Sequence, residues 1–256
     1  MRNLLPLVLL AAFVCGCTKE GQKPSSTASS DKPKQTLSVD PATAATLTGS
    51  ISFDGPAPKS EKLDMSQDPA CIMGGAPDNY GQAYIVKNAR LANVYVYVKE
   101  MENYSFPAPK EEVLVDQNGC RYIPHVAAVM AGQTVRFKNS DPALHNVHPA
   151  AKHNEQWNIS QQPRGEDIVK TFSNPELMIP VKCNQHPWMK MFLSVASHPY
   201  FAISGADGKF EIKNLPPGEY TIAAVHERLG EKTVKVNVSG KEAKADFSFR
   251  ASDARN

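Results

Sequence analysis

The segment VKCNQHPWMKM, residues 181–191, holds a thiol, an imidazole and two thioethers within nine residues: Cys183, His186, Met189 and Met191. Thiolate, imidazole and thioether form a soft donor set, which favours copper over magnesium or calcium. A blue-copper site needs two histidines and a cysteine around the metal, with a weak methionine on the axis. This loop supplies one histidine, so the second must come from elsewhere. NSDPALHNVHPA, residues 139–150, offers His145 and His148, the first of them 38 residues before Cys183. Singly, these features have plainer readings. A cysteine at a strand end is commonly a small buried hydrophobe, and Met and Trp on a loop can cap a core. Their joint occurrence points to a metal.

AGQTVRFKNSDPALHNVH followed by VKCNQHPWMKMFLSV resembles the cupredoxin family, and most of all its amicyanin-type members. The shared features are a Gly-x-x-Val-x-aromatic-x-Asn strand, a downstream His-Asn pair, and a Cys-x-x-His-Pro-aromatic-Met loop, covering roughly residues 115–197. The resemblance implies one type-1 copper held by His145, Cys183 and His186 in the plane and Met189 on the axis. It implies that Asn146 hydrogen-bonds across to the cysteine loop and holds it. It also implies that His186 presents its ring edge to solvent, within an apolar docking patch of Pro187 and Trp188 used by a redox partner protein. Met191 sits at the offset found in longer-loop plastocyanins, but the Pro after His186 favours Met189. His148 lacks a following asparagine and is expected to be a neighbour of the site. His125 reads as structural and His153 as solvated. His198 and His226 are weak candidates for a second, surface metal site.

The elements that must position these residues are short alternating stretches separated by turns. NVYVYVKE places Val94, Val96 and Val98 on one side and Tyr95 and Tyr97 on the other. TGSISFDGPAP, TVRFKNSD, LMIPVKC, MFLSVAS, GKFEIKNL, EYTIAAVHE, KTVKVNVSG and KADFSFR continue the pattern, punctuated by Asp54-Gly55, Ala131-Gly132, Asp207-Gly208 and Pro216-Pro217-Gly218. A short helix is open in 60–75 or 151–165. The fold class expected is all-β and sandwich-like. SGADGKFEIKNLPPGEYTIAAVHE resembles the end of the carboxypeptidase regulatory-like (transthyretin-like) β-sandwich, through Asp207, Gly208, Phe210, Ile212, Leu215, Pro216, Pro217, Gly218 and Tyr220. TGSISFDGPAP and LANVYVYVKE echo that family's opening. The expected order is therefore 47–109 and 200–250 as one regulatory-like sandwich, interrupted by a cupredoxin over 110–199. The alternative is that 47–109 adds strands to the cupredoxin.

MRNLLPLVLLAAFVCGC has the form of a secretory signal, too short to span a bilayer. Its ending resembles a bacterial lipobox, with cleavage after Gly16 leaving Cys17 to carry lipid and anchor the chain to a membrane. Residues 17–46 lack aromatics and apolar periodicity and read as a disordered tether reaching about 30 Å. The folded part is thus expected in the cell envelope, exposed to an oxidising compartment. Three cysteines then remain, Cys71, Cys120 and Cys183. Cys71 and Cys120 lie in turn-like contexts suited to a bridge, which leaves Cys183 for the metal; sequence alone leaves other pairings open.

A formal charge of +2 and the lack of long Lys or Arg runs argue against nucleic acid. No HExxH motif occurs, and seven histidines without a His-x-His pattern are few for a copper oxidase or nitrite reductase. The expected function is a non-enzymatic, membrane-tethered carrier of single electrons. Copper sequestration or delivery, and a metal-free binding module of two sandwiches, are the alternatives.

Overall fold

Val94, Val96 and Val98 are fully buried on one face of the strand Tyr95–Val98 and its lead-in, and Tyr95 and Tyr97 stack at 5.3 Å on the other. They belong to a computed structural model that describes residues 35–37, 39–73, 79–101 and 103–254. The fold is all-β, as the alternation predicts. Among the described residues one five-residue α-helix occurs, Pro69–Met73, inside the first of the two segments left open for a helix; 151–165 has none.

Two apolar cores organise the strands. One core is built mainly from residues 113–196, joined by Met65 and Cys71 from earlier in the chain. Its four-stranded sheet runs in the order Ile168–Thr171, Thr134–Asn139, Val113–Gln117, Tyr122–Ile123. Its five-stranded sheet runs Ile159–Gln161, His145–Pro149, Glu176–Lys182, Lys190–Ala196, Val126–Met130. Val115, Phe137 and Val135 from the first sheet meet Val147, Ile179, Val181, Leu193 and Val195 from the second. Each sheet contains one parallel pair, Val113 beside Val135 and Val126 beside Phe192.

The other core draws on both ends of the chain. Ala45–Asp54 pairs antiparallel with Lys209–Leu215 and parallel with Glu242–Lys244 and Phe247–Arg250. Tyr95–Val98 lies between Phe201–Ile203 and the hairpin Gly218–His226/Gly230–Val238. Leu47, Ile51, Phe53, Ile212, Ile222 and Phe249 fill the space between these sheets. Two glycines permit the close approaches. A Cβ on Gly49 would lie 1.8 Å from the Ala245 carbonyl oxygen. Gly208, at φ +71°, completes the Asp-Gly turn that brings Lys209–Leu215 back beside Ser50.

The leader, Cys17 and the first part of the tether lie outside the described residues. The tether as expected extends too far. Gln35–Thr36 pairs with Tyr104–Ser105, Leu37 and Val39 pack against the second core, and the first long strand begins at Ala45. Two apolar residues two positions apart are too weak a periodic signal to read from sequence, yet suffice to dock the segment.

Where the two cores meet, His125 and Glu227 form a buried pair, Nε2 to Oε1 2.5 Å. His198 donates from Nε2 to the Val98 carbonyl at 2.9 Å.

Candidate metal centre

Asn139 ends the strand Thr134–Asn139 and shapes the turn after it. Its Nδ2 donates to the carbonyls of Ala143, Gln161 and Gln162, and its Oδ1 accepts from the Asp141 N–H at 3.0 Å. The chain re-enters the sheet at His145, which is fully buried. Forty residues on, the hairpin Glu176–Lys182/Lys190–Ala196 is closed by a tight loop. The Met189 N–H donates to the His186 carbonyl (2.9 Å), and the Cys183 N–H to the Met189 carbonyl (3.1 Å). Because His148 pairs with Lys182 across the sheet, Cys183 comes beside the start of the His145 strand. There the Asn146 backbone N–H donates to its sulfur at 3.2 Å.

His145 Nδ1 lies 3.0 Å from His186 Nδ1, and the latter 3.7 Å from Cys183 Sγ. The three donor atoms all lie within 4.8 Å of one another, and all three residues are buried. The outer nitrogens face carboxylates: His145 Nε2 meets Asp141 Oδ2 at 2.9 Å and His186 Nε2 meets Asp68 Oδ2 at 3.0 Å. An ionised carboxylate only accepts, so each Nε2 carries a hydrogen, and in the neutral ring Nδ1 turns a lone pair toward the shared space. Two lone pairs at 3.0 Å repel unless a proton or a metal cation stands between them. Burial disfavours charge on both rings, but the bonds of His145 to Asp141 and Cys183, and of His186 to Cys183 and Asp68, outweigh it and raise both imidazoles above their ordinary value. Burial also pushes the Cys183 thiol up, yet His145, His186 and the Asn146 N–H bring it down to about 6. The donors are thus a thiolate and two imidazoles whose free positions converge, and they fit a soft cation.

The two carboxylate braces are themselves fixed by one cross-link. Cys71 and Cys120 form a disulfide. Asp141 accepts from the backbone N–H groups of Gly119 (2.7 Å) and Cys120 (2.8 Å). Asp68 accepts from the Ala70 N–H at 2.9 Å, and its carbonyl from the Cys71 N–H at 3.0 Å. Cys71 Sγ reaches His186 Nε2 at 3.6 Å. Sequence reasoning missed both aspartates. Asp141, four positions before His145 in a turn, and Asp68, three before Cys71, are the only signals it held.

Three expectations change. His186 does not show a ring edge to solvent: it is 3 % exposed, closed off by Asp68 and the disulfide. The Asn146 side chain does not bond the cysteine loop. Its Nδ2 donates to Asn158 (3.2 Å) and Ser160 (3.1 Å), and the backbone N–H makes the bond to Cys183 instead. His198 and His226 make no joint site. The first bonds to Val98 and to the Tyr200 N–H, the second accepts from the Arg228 N–H, and burial holds both near pKa 4.

The remaining residues are placed as follows. Met189 is buried and belongs to the loop; Met191 is buried within the following strand, opposite Val181. His148 faces Asn184 Oδ1 at 2.9 Å, outside the donor cluster. Pro187 is exposed. Trp188 is half-buried, its ring centroid 5.0 Å from that of His186 and its Nε1 donating to the Cys120 carbonyl at 3.2 Å. Tyr122 donates from its hydroxyl to the Asn146 carbonyl, which holds the same strand from behind.

No protein-family model and no curated relative matches the chain. Among solved structures, it is similar to a copper-containing nitrite reductase from Thermus scotoductus SA-01, at 24 % identity and TM-score 0.32, over 40 % of this chain and 25 % of that one. The chain thus spans a quarter of the reductase's length. An oxidised proline-to-glycine variant of amicyanin is similar at 20 % identity and TM-score 0.31, over 36 % of this chain and 89 % of its own. A purple cupredoxin from Nitrosopumilus maritimus is similar at 18 % and 0.28, over 33 % and 99 %. These neighbours are cupredoxins that overlap a minority of the chain.

Proposed function

We propose that this chain is a copper protein that carries single electrons between redox partners in the cell envelope. The observation that carries the reading is the convergence of His145 Nδ1, His186 Nδ1 and Cys183 Sγ in one buried space, with the outer nitrogen of each ring held by a carboxylate. His145, Cys183 and His186 would hold the ion, with Met189 as the fourth ligand. Copper, when bound, supplies a one-electron Cu(I)/Cu(II) couple.

The protein's own part is to keep these donors still. Asp141 and Asp68 hold both rings in the tautomer that offers Nδ1, the Asn146 N–H stabilises negative charge on the thiolate, and the short loop spaces Cys183, His186 and Met189. Burial of the three donor residues excludes water from them, and ligands that do not move between oxidation states keep reorganisation small. Copper delivery calls instead for an accessible ligand through which metal is passed on, so the burial of His186 favours the carrier. We further propose that 110–199 is a cupredoxin set into a transthyretin-like sandwich of 47–109 and 200–250. Cys17 is the lipid attachment point holding the chain at a membrane.

The test is the visible spectrum of the soluble part, residues 35–256, on adding Cu(II). An intense thiolate-to-copper band, lost in Cys183→Ser and His145→Ala, is expected. No band and no copper retained on dialysis would sink the reading.

A further inference from the structure

The burial of His186 removes the surface by which a partner was expected to reach the site, and the structure holds another beside it. A cavity of about 550 Å³ lies against the 183–189 loop, with Pro187 and Trp188 in its wall. Lys59, Lys62, Arg121, Lys190 and Arg228 line it, against the acidic Glu61 and Asp64. Setting Arg121 aside, four cations face two anions, so this one face holds an excess as large as the +2 of the whole chain. Lys59, Lys62, Lys190 and Arg228 are exposed and make no ion pair among the described residues. Trp188 connects this surface to the donor cluster: its ring lines the cavity and packs on His186 at 5.0 Å.

We infer that this face is the docking surface for the acidic surface of a redox partner protein, seated over Trp188, and the inference rests on the carrier reading above. Exposed lysines lining the same cavity as a half-buried aromatic can steer and register a charged surface. The aromatic and the proline in the cavity wall supply the apolar contact. Segment 59–73, which closes the His186 edge through Asp68, also supplies Lys59 and Lys62. Covering the one approach and building the other is the work of the same stretch of chain.

The test needs no copper, so its failure is separate from failure of the copper reading. Trp157 and Trp188 are the two tryptophans; the contribution of Trp188 is read from Trp157→Phe, and independently as the difference between the parent chain and Trp188→Phe. Relative to free N-acetyltryptophanamide at the same ionic strength, iodide is expected to quench Trp188 several times more strongly than caesium, because the cations concentrate anions at the ring. Lys62→Glu with Lys190→Glu should reverse that order, while Lys138→Glu with Lys235→Glu, outside the cavity lining, should not. Hexaglutamate should shield Trp188 from the neutral quencher acrylamide, and hexalysine should not. Equal quenching by the two ions, or no effect of the Lys62 and Lys190 reversals, overturns the proposal. So does shielding by inorganic phosphate but not by hexaglutamate, which would make this a small-anion site.

Discussion

Replacing Asp141 by asparagine changes one atom of the brace behind His145 and should be felt at the other side of the ring. Asp141 Oδ1 accepts from Gly119, and Oδ2 accepts from both Cys120 and His145 Nε2. An asparagine has one acceptor oxygen for these three donors. If that oxygen takes the Oδ1 place, the amide nitrogen faces the Cys120 N–H and the His145 ring. His145 then accepts on Nε2 and carries its hydrogen on Nδ1, aimed at the donor cluster. If it takes the Oδ2 place, the amide nitrogen opposes the Gly119 N–H. Either way one buried donor loses its partner, at about 1–3 kcal/mol, since Asp141 is only 5 % exposed. In the first arrangement His145 also loses its acceptor, and loss of such a partner behind a metal-ligating histidine typically costs ten- to a hundredfold in metal affinity. Urea unfolding of the metal-free chain should therefore show a loss of about 1–3 kcal/mol, and chelator competition about 10- to 100-fold weaker copper binding where the first arrangement is adopted. Asp68→Asn should lose less on both counts, because the Asp68 side chain is 30 % exposed and water can replace part of its role. An Asp141→Asn protein with unchanged stability and copper affinity would refute the brace argument, whatever its spectrum.

Two further outcomes follow from the framework around the site. Replacing Cys71 and Cys120 together by serine opens a loop with a sequence separation of 49 and should destabilise the chain by about 4 kcal/mol. The same variant should expose His186 to chemical modification by diethyl pyrocarbonate, and an unchanged denaturation midpoint would count against the cross-link as the anchor of both aspartates. His198 and His226 are held neutral by burial, with pKa values of about 4 against an ordinary 6.5. Between those values the unfolded chain binds more protons than the folded one, so stability is intact above pH 6.5 and falls as pH drops toward 4, by an order of 3 kcal/mol for each histidine. Urea midpoints measured across that window should fall steadily, and His226→Phe should flatten the slope.

The local pattern was enough to determine that the chain is all-β, because alternation over four to nine residues is a property of each strand by itself. Val94, Val96 and Val98 had to turn one way whatever they packed against. The crowding of Cys183, His186 and Met189 into one tight turn is likewise a matter of adjacent residues. What only the tertiary structure decided involves residues far apart in the chain. Asp68 meets His186 across 118 positions, and no periodicity encodes such a pair. Whether His186 faces water depended on where 59–73 comes to rest, and whether the Asn146 side chain points to the cysteine loop depended on Asn158, just before the neighbouring strand, and Ser160, on it. Leu37 and Val39 found a core to dock on only once strands from both ends of the chain had built it. Spacing brings donor types near one another; long-range packing selects their tautomer, their burial and the surface from which they can be reached.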